Sequence, residues 1–303
     1  MRNSIVDFLY KSVEKDKNII LLTGDLGFGV LDKCFVKYPN NFINVGVAEQ
    51  NLTGLATGLA MMGKKVLTYS IGNFNTFRCL EQIRNDAAYH NVNITIISIG
   101  GGFSYGQLGY SHHATEDYGV LKSLPNIDIY TPGSKAEAVK SVSEALNTNK
   151  VSYIRIDKSS FDDSYFESKN FDIGINEIVV GKKNLVIGVG GVIDEAINAS
   201  NYFSQENGYK IGVVSVSKLK KIDSKKLLKI ISRYEKIITI EEHNKLNGLA
   251  STVKEILFDN SVTDKKLKCL GMDDNYSTIV GDQKYLRDKY KISAKEILNF
   301  FNE

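Results

Sequence analysis

The sequence predicts an α/β fold built as two three-layer domains, and three observations carry that prediction. Short runs rich in β-branched residues alternate with stretches of helical period, a long polar stretch interrupts the alternation, and the alternation then resumes. The strand candidates are continuously apolar rather than alternating, as in mostly parallel sheets covered by helices on both faces.

Residues 1–18 carry charges throughout and form an amphipathic helix rather than a signal peptide with an apolar middle. Strands are expected at 19–23, 65–71, 93–99, 128–131 and 152–156. Between the first two, residues 50–62 place Leu52, Leu55, Ala56 and Leu59 on one helical stripe, with Gly63 as the cap. The stretch 157–174 is polar, has no sustained period and is longer than a usual loop. It sets the domain division: a first domain over 1–165, a linker over 166–180 and a second domain over 181–303. Further strands are expected at 184–189, 210–216, 236–241 and 266–270.

With 303 residues, of which 43% are hydrophobic and 24% charged, the chain can bury cores for two domains of common size. The net charge is only +3 and the basic residues are scattered, so no polyanion-binding stripe is present and nucleic acid is excluded as a partner. No apolar run approaches the roughly 20 residues that span a bilayer. Cys34, Cys79 and Cys269 are odd in number and far apart, matching neither a disulfide framework nor a zinc site. Buried thiols in a cytoplasmic protein are the expectation.

Two glycine-rich turns, Gly24–Gly29 and Gly188–Gly191, follow strands, but neither completes a dinucleotide or phosphate-loop fingerprint, so both read as tight strand-to-helix turns. Glu49 stands where a strand ends and an apolar helix begins. It is either a first-turn acid complementing the helix dipole or a desolvated carboxylate able to bond a ring nitrogen strongly. Phe74 and Phe77 follow the next strand, at the sheet edge where α/β proteins bind ligands, and fit either a core or an aromatic wall. His112 and His113 lie in an unusually long glycine-rich stretch over 100–117, and fit either surface decoration or a site. Glu241, Glu242 and His243 are readable as a site or as caps at a strand end.

Together these segments resemble the pyrimidine-binding and carboxy-terminal domains of transketolases, in the form found in two-gene enzymes. The resemblance spans nearly the whole chain and is carried by four segments: Phe42–Asn51, Leu80–Arg84, Ser104–Gly106 leading to Ser111–His112, and Glu241–His243 with Gly248–Leu249. It implies that Glu49 hydrogen-bonds the aminopyrimidine of thiamine diphosphate and favours its imino tautomer, while the cofactor carries the carbanion chemistry. Phe74 and Phe77 then match the aromatic wall. Asp25, with Leu26, matches the thiazolium side, Gln82 belongs to a motif beside the cofactor, and His112 matches a contact to substrate hydroxyls. Arg2 and Arg155 match phosphate-binding arginines.

The family holds the diphosphate and its Mg2+ with a Gly-Asp-Gly run that is absent here, so the resemblance implies a separate amino-terminal subunit and an α2β2 assembly. Gly29, Gly100, Leu108 and Tyr110 replace a serine, a histidine, an aspartate and a proline of the family pattern, which points to ketol transfer onto an unusual or larger sugar. The alternatives within reach of the same residues are the β subunit of a 2-oxo acid dehydrogenase or of a pyruvate-decarboxylating synthase, and a non-catalytic regulatory subunit.

Overall fold

A computed structural model describes residues 1–166 and 171–303. In chain order the first domain comprises α1 (Arg2–Lys15), β1 (Ile19–Thr23), α2 (Asp32–Lys37), β2 (Phe42–Asn44), α3 (Glu49–Met61), β3 (Lys65–Ile71), α4 (Leu80–Gln82), β4 (Ile94–Ile99), α5 (Asp117–Lys122), β5 (Ile127–Tyr130), α6 (Lys135–Ala145) and β6 (Val151–Ile156). A π-helical turn, Ile83–Ala88, continues α4. The strands form one six-stranded sheet in the order β2-β1-β3-β4-β6-β5, and every pairing is parallel.

The pleat sends successive residues of β1 to opposite faces. Ile20 and Leu22 pack with Leu52 of α3 and Ile83, while Ile19 and Leu21 pack with Ile5 and Leu9 of α1 and Val142 of α6. Both faces are therefore covered, which is why the strands read as unbroken apolar runs.

The second domain contains β7 (Ile175–Val179), β8 (Lys183–Gly188), α7 (Ile193–Asn207), β9 (Gly212–Val216), α8 (Ser224–Ile231), β10 (Tyr234–Asn244), α9 (Leu249–Asp259), β11 (Lys266–Met272), α10 (Gln283–Lys289) and α11 (Ala294–Asn302). Its sheet runs β11-β10-β8-β9-β7, parallel except for β7, which is antiparallel to β9. β7 falls inside the expected linker 166–180, because Ile175, Ile178 and Val179 are buried in the second domain by that pairing. Residues 167–170 of the expected linker lie outside the described residues.

One apolar cluster runs through both domains, joining Tyr118 and Leu121 of α5 to Val214 and Val216 of β9 and to Leu249 and Val253 of α9. The domains are thus welded along a shared core. No described helix is long and apolar enough to cross a membrane.

Candidate active site

β1, β2, β3 and β4 are neighbours in the sheet, so the loops at their carboxyl ends gather at one edge. Open α/β sheets bind ligands at that edge. Glu49 opens α3 there as a first-turn acid and is only 1% exposed. Burial of the charge is sustained by partners. Ser70 at the end of β3 donates its hydroxyl to Oε1 at 2.8 Å, and Arg78 donates Nη1 to Oε2 at 2.6 Å.

Arg78 follows Phe74 by four residues, and its guanidinium lies over the Phe74 ring, 4.1 Å from the centroid. Phe74 also meets the His112 ring in an edge-on arrangement, with centroids 5.2 Å apart at 69°. Glu49, Arg78, Phe74 and His112 therefore form one row. Arg78 had no motif to announce it; the spacing of four from Phe74 was the available signal.

The adjacent histidines divide their roles. His112 is partly exposed, its Nδ1 lies 2.9 Å from Ser111 Oγ, and partial burial lowers its pKa. His113 is buried, with Nε2 3.1 Å from the Gly106 carbonyl, and supports the loop from within. Asn73 fastens the backbone on both sides of His112, donating to the Ser111 and His113 carbonyls at 3.2 and 2.8 Å.

Asp25 has φ of 59°, a left-handed conformation that costs a non-glycine residue energy and concentrates at functional sites. Asn44 holds it by two bonds, donating to Asp25 Oδ1 at 2.9 Å and accepting from its backbone N–H at 3.0 Å. The Leu26 carbonyl accepts from the Thr23 hydroxyl at 3.0 Å. Phe77 is exposed, and the buried Gln82 Oε1 has no hydrogen-bond partner among the described residues. The structure thus brings Glu49, Phe74 and His112 together, with Asp25 and Leu26 on the neighbouring loop and Phe77 and Gln82 outside the row.

Arg2 lines a cavity of about 410 Å3 with Gly100, Ser104, Tyr105, Lys135 and Lys158. Arg155 does not join it. Its Nη2 donates to the Ala114 and Glu242 carbonyls at 3.2 and 2.9 Å, and its Nε lies 3.7 Å from Asp117 and 3.5 Å from Asp157. Burial opposes the Arg155 charge, but the two carboxylates more than compensate and raise its pKa. Its position inside β6 commits it to the interior, whereas Lys158 lies beyond the strand end and reaches the cavity. Gly100 is required by packing, since φ is +90° and a Cβ there would collide with the Tyr105 ring. Tyr105 fills the space that a longer residue at 100 would need.

The row offers a buried acceptor carboxylate beside an aromatic face. An aminopyrimidine in its imino tautomer is planar and presents a ring N–H, as a guanidinium presents its N–H groups, so the carboxylate and ring that hold Arg78 would also suit such a ring. Among the described residues no group of three or more His, Cys, Asp or Glu side chains is placed to hold a metal ion.

Residues 1–163 match the family model of the transketolase pyrimidine-binding domain, and residues 175–297 match that of the transketolase C-terminal domain. The chain is 29% identical to an apulose-4-phosphate transketolase subunit of Actinobacillus succinogenes, over 99% of this chain and 96% of that one. It is 32% identical to the apulose-4-phosphate transketolase subunit of the same description from Phocaeicola vulgatus, over 86% and 84%. It is also 28% identical to a 6-deoxy-6-sulfo-D-fructose transketolase subunit from a Clostridium species, over 100% and 94%. A solved structure described as a split gene transketolase, inactive beta4 tetramer, superposes with a TM-score of 0.87 at 27% identity, covering 98% of this chain and 95% of that one. With both of its domains matched in order and along their length, the chain belongs to the transketolase family.

Proposed function

We propose that the chain is the C-terminal subunit of a split, thiamine-diphosphate-dependent transketolase that moves a two-carbon ketol unit from a ketose to an aldehyde acceptor. The observation that carries this reading is the row of Glu49, Phe74 and His112, in which a buried carboxylate faces an aromatic wall and a histidine. When bound, the cofactor supplies the electron sink for carbanion chemistry. Glu49 would accept a ring N–H of the imino tautomer, Phe74 would orient the ring and keep water from its face, and His112 would bond substrate hydroxyls.

A separate amino-terminal subunit contributes the diphosphate site and Mg2+ in this reading, in a cytoplasmic α2β2 complex. Exposed Phe28, Val47, Phe77, Leu108 and Tyr110 support a partner, because these apolar side chains all follow β1 to β4 at the same sheet edge. The names of the relatives, one a phosphorylated and one a sulfonated sugar transketolase, support a ketose with an anionic end. Arg2 and Lys158 in the adjoining cavity suit such a group.

The test is reconstitution with the co-expressed partner and a panel of donors: apulose 4-phosphate, 6-deoxy-6-sulfofructose and xylulose 5-phosphate. At least one of the first two is expected to give kcat/KM about 100-fold above xylulose 5-phosphate, a difference of about 2.7 kcal/mol. Full activity on xylulose 5-phosphate with ribose 5-phosphate would sink the specialised-substrate reading, and release of carbon dioxide from pyruvate would move the chain to the 2-oxo acid class. Glu49→Ala should lower turnover by at least about 100-fold, the scale of a lost acid–base group. Unchanged turnover in that variant would leave the assignment of the row untenable.

A further inference from the structure

The segment over 103–113, which carries His112, is closed at its base by an antiparallel bridge between Gly102 and Ala114, with both N–H···O distances 3.0 Å. Four consecutive residues at the end of β10, in the other domain, hold the two sides of that base. Glu242 accepts from the Phe103 N–H at 2.7 Å on the entering side. On the leaving side Asn244 N–H donates to the Thr115 carbonyl at 2.8 Å, Tyr118 donates its hydroxyl to Glu241 at 2.7 Å, and Gly119 N–H donates to His243 Nε2 at 3.1 Å.

These anchors are built rather than incidental. Glu241, Glu242 and His243 are each no more than 2% exposed. Glu242 is itself held by Gln283 Nε2 at 3.0 and 3.1 Å and by the buried Arg287. Glu241 also accepts from the first N–H groups of α9, at Leu249 and Ala250, which ties the clamp to a helix start. His243 presents an accepting Nε2 because its Nδ1 donates to the Asn244 carbonyl at 2.8 Å, and burial, which lowers its pKa to about 4, keeps the ring neutral. Gly102 has φ of +57°, and a Cβ there would collide with Glu242 Oε2, so the loop is shaped to the clamp. Further out, Gly281 N–H bonds the Gly106 carbonyl at 3.3 Å, and exposed Tyr276 packs edge-on against Tyr110, with centroids 4.9 Å apart.

We infer that residues 241–244 of the C-terminal domain form a positioning clamp for the ketol-transfer site, with Glu242 anchoring the entering side of the His112 loop while Asn73 fastens the backbone around His112 itself. Glu242 touches no substrate; it acts through the Phe103 backbone and thus through His112. The inference rests on the reading of His112 as a substrate-binding residue. It assigns to the C-terminal domain a part in substrate binding.

The experiment is a double-mutant cycle in the reconstituted two-subunit complex, using Glu242→Gln, His112→Ala and the double variant, with xylulose 5-phosphate, apulose 4-phosphate and 6-deoxy-6-sulfofructose as donor probes. Glu242→Gln is expected to lower kcat/KM about 10-fold, mainly through KM, and to cost no further activity in the His112→Ala background. A second readout follows the His112 imidazole in this chain by NMR titration, where Glu242→Gln should move its midpoint toward that of an unperturbed histidine. Leu227→Ala in α8 serves as the control for lost stability, and should shift neither the coupling nor the His112 midpoint. If Glu242→Gln does not fold, Gln283→Ala replaces it, removing the two bonds that hold the Glu242 carboxylate, with an expected loss of about threefold that also vanishes in the His112→Ala background. Additive losses, or an unchanged kcat/KM in a folded Glu242→Gln, overturn the clamp. If His112→Ala alone leaves transfer unchanged, the site reading falls instead, and the NMR arm decides: an unmoved His112 midpoint in Glu242→Gln overturns the clamp on its own.

Discussion

Arg78 bridges Glu49 and Phe74, paired to the carboxylate and lying over the ring. Its side chain remains 41% exposed, so the pair contributes at most about 1 kcal/mol after solvent screening. A planar cofactor ring that used the same carboxylate and the same ring face would compete with the guanidinium. Arg78→Met should therefore tighten thiamine diphosphate binding to the two-subunit complex by about fivefold, read by calorimetric titration, which is the same 1 kcal/mol. Weaker binding in the variant would show that the arginine keeps its bond to Glu49 beside the bound ring. Glu49, Phe74 and His112, which the sequence singles out and which lie together here, are those whose type is unusual for their place: an acid before an apolar helix, a ring at a strand end, a histidine in a glycine-rich loop. Arg78 and Lys158 escaped because a lone basic residue at a surface turn is ordinary, and only the fold shows what each faces. Arg155 misled for the converse reason, since a cation matched to the site by its place in the chain instead serves Asp117, Asp157 and two carbonyls of the interior.

Helix α6 shows how an element's start can join two domains. Ser134 caps it by accepting from the Glu137 N–H at 3.2 Å, and the Glu137 carboxylate reaches back to the Gly133 N–H at 2.8 Å. The same carboxylate receives the Ser215 hydroxyl from β9 of the other domain, at 2.9 Å. Burial, only partly offset by these bonds, raises the Glu137 pKa from 4.5 to about 7. Between these two values the folded chain keeps a proton that the unfolded chain has released, so stability falls as pH rises through the window and the loss is complete above it. The loss is on the order of 3 kcal/mol. Thermal melts from pH 4 to 8 should show a decline for the native chain that is shallower in Glu137→Gln, which stays neutral and can still bond Gly133 and Ser215; parallel curves would disprove the assignment. The strands were legible because burial on both faces makes them unbroken apolar runs. β7 was not, since it follows a polar stretch and its place comes from antiparallel pairing with the distant β9. β2, three residues long, gave too little signal to separate from the Glu49 motif that follows it.

Across the whole molecule, the division into two α/β domains could be read from one break in the alternation, but the way they join could not. That join combines a shared apolar core with a buried polar network, in which Arg155 bonds the Glu242 carbonyl and Tyr118 bonds Glu241. Pairings between residues more than a hundred positions apart leave no periodic trace, and buried acids near a strand end read equally well as caps. The clamp at 241–244 also constrains how such a protein can change over time. Because its partners lie at 103, 115, 118 and 119, a chimera that takes its first domain from one relative and its second from another would inherit mismatched halves of the same joint. The two domains are exchangeable between lineages as a pair, and recombination at the linker is expected to be selected against even where each half folds.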